Sequence, residues 1–119
     1  MNEKYKSSAL YAYVKKYGNG TRKLSDNSYV TVYETDTSVY GEVLFHTDLN
    51  ETFWHRLDGP AYIKFKDDGS PEDCQWWIND TYVTHEITKW AEENDIDLDN
   101  LSDEDVNIIK LIWSDYYGK

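Results

Sequence analysis

The chain has 119 residues, a single cysteine, 16% aromatic residues, and 23 acidic against 12 basic side chains, for a formal net charge of -11. That length suits one domain, 1–119, which can bury roughly two thirds of the surface its unfolded form exposes without a disulfide or a structural metal. The lone Cys74 excludes an internal disulfide framework and a cysteine-based zinc cluster, and no apolar run approaches the roughly 18 residues of a membrane span. Met1 to Ser7 is not followed by a signal-type apolar core, so a soluble intracellular protein without a membrane partner is expected.

The first segment, 1–24, reads as a basic helix and turn. Leu10, Tyr13, Val14 and Tyr17 fall at i, i+3, i+4 and i+7, a serine is available to cap the start, and Gly18 is available to end the helix. Lys4, Lys6, Lys15, Lys16, Arg22 and Lys23 against Glu3 give this segment a net charge of +5, which leaves -16 for the rest. Gly18-Asn19-Gly20 and Ser25-Asp26-Asn27-Ser28 are turn formers, and the apolar period changes from 3.6 to 2 around them.

Residues 25–83 read as an antiparallel β-meander of about five strands. Tyr29 to Tyr33 and Ser38 to Phe45 are rich in β-branched and aromatic residues and flank the polar Glu34-Thr35-Asp36-Thr37, a hairpin signal. Three more strand-like pieces follow at Phe53 to His55, Ala61 to Lys66 and Cys74 to Ile78. In the last of these, alternation sends Trp76 and Trp77 to opposite faces, so either the sheet is covered on both sides and both indoles pack in a core, the favoured reading, or one of them is exposed.

Residues 84–119 read as an acidic helical pair packed on the sheet, which makes the whole an α+β domain. Thr84 is placed to cap a helix carrying Ile87, Trp90 and Ala91 on one face. Ser102 and Asp105 form a capping-box pattern before Val106, Ile109, Trp113 and Tyr116, and Gly118 marks the stop. Ile108, Leu111 and Ile112 widen the apolar arc of that second helix, so burial on more than one side is expected. Glu86 to Asp105 holds nine carboxylates and one lysine, Lys89. Such a surface repels phosphates, so direct nucleic-acid binding is not expected.

One stretch has a recognisable pattern: His55-Arg56-Leu57-Asp58-Gly59-Pro60-Ala61, then Asp68-Gly69, then Trp76-Trp77-Ile78-Asn79. It resembles a MORN-like β-hairpin repeat of the form H-R-x-D-G-P-A, D-G, W-x-N found in small accessory proteins of tailed bacteriophages. The resemblance covers about a quarter of the chain, with Asp80 where the repeat has glycine. It implies architecture and a phage setting, hence the cytoplasm of an infected bacterial host, and it carries no catalytic residues. By their chemistry alone, Asp58-Gly59-Pro60 makes a structural turn, Gly69 supplies a positive φ in the connection, and His55 and Arg56 pack beside the turn.

Other constellations are weaker. Asp95-Ile96-Asp97-Leu98-Asp99 has a calcium-loop flavour, but Asn100 replaces the turn glycine and Val106 the closing glutamate. His46, His55 and His85 lack the i+2, i+3 or i+4 spacing of ligand pairs, and Cys74, inside a strand-like run, is expected to be a small buried hydrophobe rather than a nucleophile. No metal site, cofactor or catalytic residue is expected.

The function expected is binding of a basic host protein, with inhibition or modulation of a defence or nucleic-acid-binding factor. The contact residues would be Glu92, Glu93, Asp95, Asp97, Asp99, Asp103, Glu104 and Asp105, with Trp77 as an aromatic anchor. The alternatives are a small enzyme with an acid-lined cleft and a self-assembling β-hairpin module.

Overall fold

Helical spacing of Leu10, Tyr13, Val14 and Tyr17 produces helix α1, Ala9–Tyr17, which Gly18 ends with a φ of 76° while its amide donates to the Val14 carbonyl. The computed structural model describes residues 9–25, 27–34, 41–48, 50–66 and 69–116. Five strands follow the helix: β1 (Gly20–Ser25), β2 (Ser28–Glu34), β3 (Gly41–His46), β4 (Tyr62–Phe65) and β5 (Pro71–Gln75). Each pairs antiparallel with the next, so the sheet order is the chain order. The predicted turn at 35–37, the Asp67-Asp68 pair and the Gly118 stop lie outside the described residues.

Strand alternation sorts the sheet into two faces. Val30, Val32, Val43, Phe45, Ile63 and Phe65 point to one face and form the first core with Leu10 and Ala61. The Tyr13 ring meets Phe45 and Phe65 at 6.3 and 6.2 Å, which locks α1 across that face. Burying side chains of this size is worth about 1.5–3 kcal/mol each before conformational entropy is counted.

A second core lies beyond the sheet. After β5 the chain forms a short hairpin of β6 (Trp77–Ile78) and β7 (Thr81–Tyr82), then helices α2 (Thr84–Glu93) and α3 (Asp103–Ile109). A π-helical stretch, Lys110–Tyr116, extends α3. Trp76, Ile78, Val83, Ile87, Ile109 and Trp113 are buried together, with Trp90 set edge-on to Trp113 at 5.5 Å. The sheet that the C-terminal helices cover is thus the two-stranded one. Among the described residues no helix is long and apolar enough to cross a membrane.

The fold class is α+β, as the periodicities predict, with local corrections. Residues 20–24 are not a turn but the body of β1, an exposed edge strand with no apolar alternation to announce it. Phe53 to His55 forms only a single bridge, Trp54 to His46. The expected strand from Cys74 to Ile78 breaks at Trp76, whose amide donates to the Thr84 hydroxyl at 2.8 Å. Thr84 therefore stitches the strand break rather than capping α2. Of the residues that widen the apolar arc of the last helix, Ile112 packs against the second core beside Ile109 and Trp113, whereas Leu111 is 63% exposed.

The two cores are joined through the motif segment. The Arg56 amide donates to the Trp77 carbonyl and the Asp80 amide to the Trp54 carbonyl. Asn79 donates its amide to His55 Nδ1 at 2.9 Å, and its side chain reaches the Ser114 carbonyl and hydroxyl. Asn79 and Asp80 both have positive φ, 50° and 63°, the signature of a two-residue type I′ turn between β6 and β7.

Candidate interaction surface

The acidic run occupies the last turn of α2, the loop to α3 and the first turn of α3, and its members differ in what they do. Asp103, Glu104 and Asp105 sit at the positive end of the α3 dipole, where a carboxylate stabilises the helix. Asp105 is further engaged: it accepts the Ser102 amide while Ser102 Oγ accepts the Asp105 amide, the capping box expected from the sequence. Its carboxylate is therefore shared with the helix cap.

At the other end of the loop the local energetics are reversed. Glu92 and Glu93 lie in the last turn of α2, which holds no basic residue, so they oppose the helix dipole at a cost of about 0.3–1 kcal/mol each. Lys89 offsets part of this for Glu93 from 4.0 Å. The α2 terminus closes as a Schellman turn, with the Ile96 amide donating to Ala91 and the Asp95 amide to Glu92. Its left-handed position, with a φ of 54°, is filled by Asp95 where glycine is the unstrained choice.

This turn shapes an open cleft of about 450 Å3, lined by Thr88, Ala91, Glu92, Asp95, Ile96, Asp97 and Leu98. Three carboxylates share the lining with the apolar Ala91, Ile96 and Leu98, and the Thr88 hydroxyl is turned back to the Thr84 carbonyl. Of the residues expected to bind a partner, Glu92, Asp95 and Asp97 meet here. Glu93, Asp99, Asp103 and Glu104 are exposed outside the lining. Trp77 is on a different surface, half-buried and edge-on to Trp54 at 5.0 Å and to Tyr82 at 5.4 Å.

The motif residues are brought together around a guanidinium. Arg56 stacks over Phe45 at 4.0 Å and donates to Tyr13 Oη, the Pro60 carbonyl and Asp58 at 3.0, 3.1 and 2.8 Å. A Cβ on Gly59 would lie 2.6 Å from the Arg56 Cζ. What Gly59 provides is space beside the held guanidinium and not a positive φ. Gly69 does take a positive φ, 82°, and its carbonyl accepts the Leu10 amide that starts α1. Burial lowers the pKa of His55, favouring the neutral ring that accepts from Asn79.

Two groups differ from their sequence reading. Cys74 is exposed on the edge strand rather than buried, yet its thiol pKa is pushed up by desolvation and by Asp99 and Asp73, so it is a poor nucleophile. His46, by contrast, is fully buried. Its Nδ1 donates to the Asp48 carbonyl, and Nε2 accepts from the Thr31 hydroxyl at 2.7 Å, which in turn meets Thr21 at 2.9 Å. A hydroxyl against an imidazole has the look of a nucleophile and base, but both Thr31 and His46 are sealed from solvent. Asp48 holds the covering loop by accepting from the Thr52 hydroxyl and the Thr52 and Phe53 amides.

Among the described residues no group of three or more histidine, cysteine or carboxylate side chains is placed to hold a metal ion. Compared with protein-family models, curated proteins and solved structures, the chain finds no match.

Proposed function

We propose that the chain is a non-enzymatic accessory protein that binds a partner protein with a basic surface through the carboxylates at the end of α2. The observation that carries this reading is the cleft rimmed by Glu92, Asp95 and Asp97 over Ala91, Ile96 and Leu98. Glu92 opposes the dipole at the helix C-terminus and Asp95 fills a left-handed position, so the benefit of these two lies outside the free molecule, whereas Asp97 also holds the loop by accepting the Asp99 amide at 2.9 Å. Opposite charge speeds the encounter, and the apolar floor adds contact area once water leaves. The phage-type motif supports a host protein as the partner, in the cytoplasm of an infected cell. A defence or nucleic-acid-binding factor fits, because a phosphate-binding surface is basic.

The test compares two folded variants on a partner isolated from bacterial lysate. Replacing Glu92, Asp95 and Asp97 by their amides should slow association by about an order of magnitude at low salt and flatten its salt dependence. Replacing Asp103 and Glu104 in the same way should do much less. Equal kinetics for the first variant and the parent would exclude the cleft as the binding surface.

A further inference from the structure

A row of aromatic rings runs from the outer face of the sheet to the start of α2. Tyr62 stacks on Trp54 at 5.5 Å, Trp54 meets Trp77 at 5.0 Å, Trp77 meets Tyr82 at 5.4 Å, and Tyr82 meets His85 at 5.8 Å. The first three rings are half-buried, Tyr82 is 41% exposed, and His85 is exposed. Side-chain alternation explains the row: Tyr62 points away from the α1 face of the sheet, and Trp77 and Tyr82 are register partners in the β6–β7 hairpin. Neither core requires Tyr82.

The surroundings of the row are acidic. Burial, with Glu42 and Asp73 close by, pushes the Tyr62 phenol up to about 12. Asp80 lies beside Trp54 and accepts its amide. Lys64 stands between Glu42 and Asp73 in the strand register, so the flank stays net negative with one cation included. Both indole N–H groups already donate within the chain, Trp54 to the Glu51 carbonyl at 2.8 Å and Trp77 to Gln75 Oε1 at 3.0 Å. The indoles thus keep no donor for peptide carbonyls or sugar hydroxyls. Both pack against the first core on one side, and the part of each half-buried ring left to solvent lies within a negative field, which selects a cation.

We propose that this row is a docking strip for an extended, arginine-bearing segment of the basic partner, whose guanidinium groups stack on the rings and pair with the flanking carboxylates. The inference rests on the reading of a basic partner and adds a second surface to it, on residues separate from the cleft. Arginine is favoured over lysine because its planar, weakly hydrated head stacks on aromatic faces and forks onto carboxylates. Alternate side chains of an extended segment lie roughly 7 Å apart, so Arg-x-Arg reaches two neighbouring rings of the row.

The test titrates the full chain, isotope-labelled, with a short Arg-Gly repeat peptide, a Lys-Gly repeat peptide and a neutral oligosaccharide, following the Trp54 and Trp77 indole signals. The arginine peptide should move both signals and bind more tightly than the lysine peptide. Tyr82→Ala, with an unchanged melting temperature, should weaken it about 3- to 30-fold, while Tyr82→Phe retains binding. Amide variants of Asp95 and Asp97 should leave the indole response in place, which separates failure of the strip from failure of the cleft. Indole signals unmoved by the arginine peptide, a response unaffected by Tyr82→Ala, or movement with the oligosaccharide alone would each overturn the proposal.

Discussion

Arg56 ties three parts of the molecule together. It is 15% exposed and tied to α1 through Tyr13, to the sheet through Phe45 and to its own loop through Asp58 and Pro60. Any side chain at Gly59 has to displace it, and the guanidinium is pinned on several sides. Gly59→Val should therefore destabilise by about 1–3 kcal/mol, read as a lower urea midpoint, whereas Asp58→Asn, which keeps an acceptor on an exposed residue, should cost under about 1 kcal/mol. His55 links stability to pH. Its pKa is lowered from 6.5 by burial, so the unfolded chain takes up its proton before the folded chain does. Stability contributed by the neutral ring is complete above 6.5 and is lost as pH falls toward the lowered value. Urea titrations across that range should show the slope, and His55→Gln should flatten it.

At the level of elements, the C-terminus of α2 is where stability and the proposed function oppose each other. Asp95 holds the left-handed residue of the Schellman turn. Asp95→Gly should raise stability by up to about 1 kcal/mol by relieving that position, and should also weaken partner binding by removing a carboxylate from the cleft. A stabilised variant with undiminished binding would show that Asp95 is only a turn residue. The α3 terminus is the internal control, because Ser102 and Asp105 form a complete capping box there. Much of this was legible in the chain: the capping box and the helix periods are local patterns. Thr84 was misread because its hydroxyl has a non-local donor, the Trp76 amide at the strand break, and no sequence window contains that pairing.

For the whole molecule, charge is the dominant property. A net charge of -11 on 119 residues, concentrated between residues 86 and 105, repels itself in the folded state. Raising the salt from about 0.02 to 0.2 M should stabilise the free protein against urea, because screening relieves that repulsion. The same change should weaken partner binding. Opposite signs for folding and binding are expected only where the acidic surface itself makes the contact, so binding insensitive to salt would count against the proposed role.

Local pattern accounts for the alternation of helix, meander and helical pair, the ends of several elements and the place of negative charge. Those follow from apolar periodicity, turn chemistry and composition, which act over a few neighbouring residues. Tertiary structure alone decided the rest. β1 has no apolar pattern and exists because β2 offers it a hydrogen-bonding edge. His46 is buried because Thr31 and the Asp48 carbonyl satisfy both ring nitrogens. The strand break at Trp76 divides two cores, sending Trp76 into the second and leaving Trp77 half-exposed beside Trp54. In each case the deciding partner is supplied by a separate element, and a local pattern carries no record of which distant group will close a hydrogen bond or cover a ring.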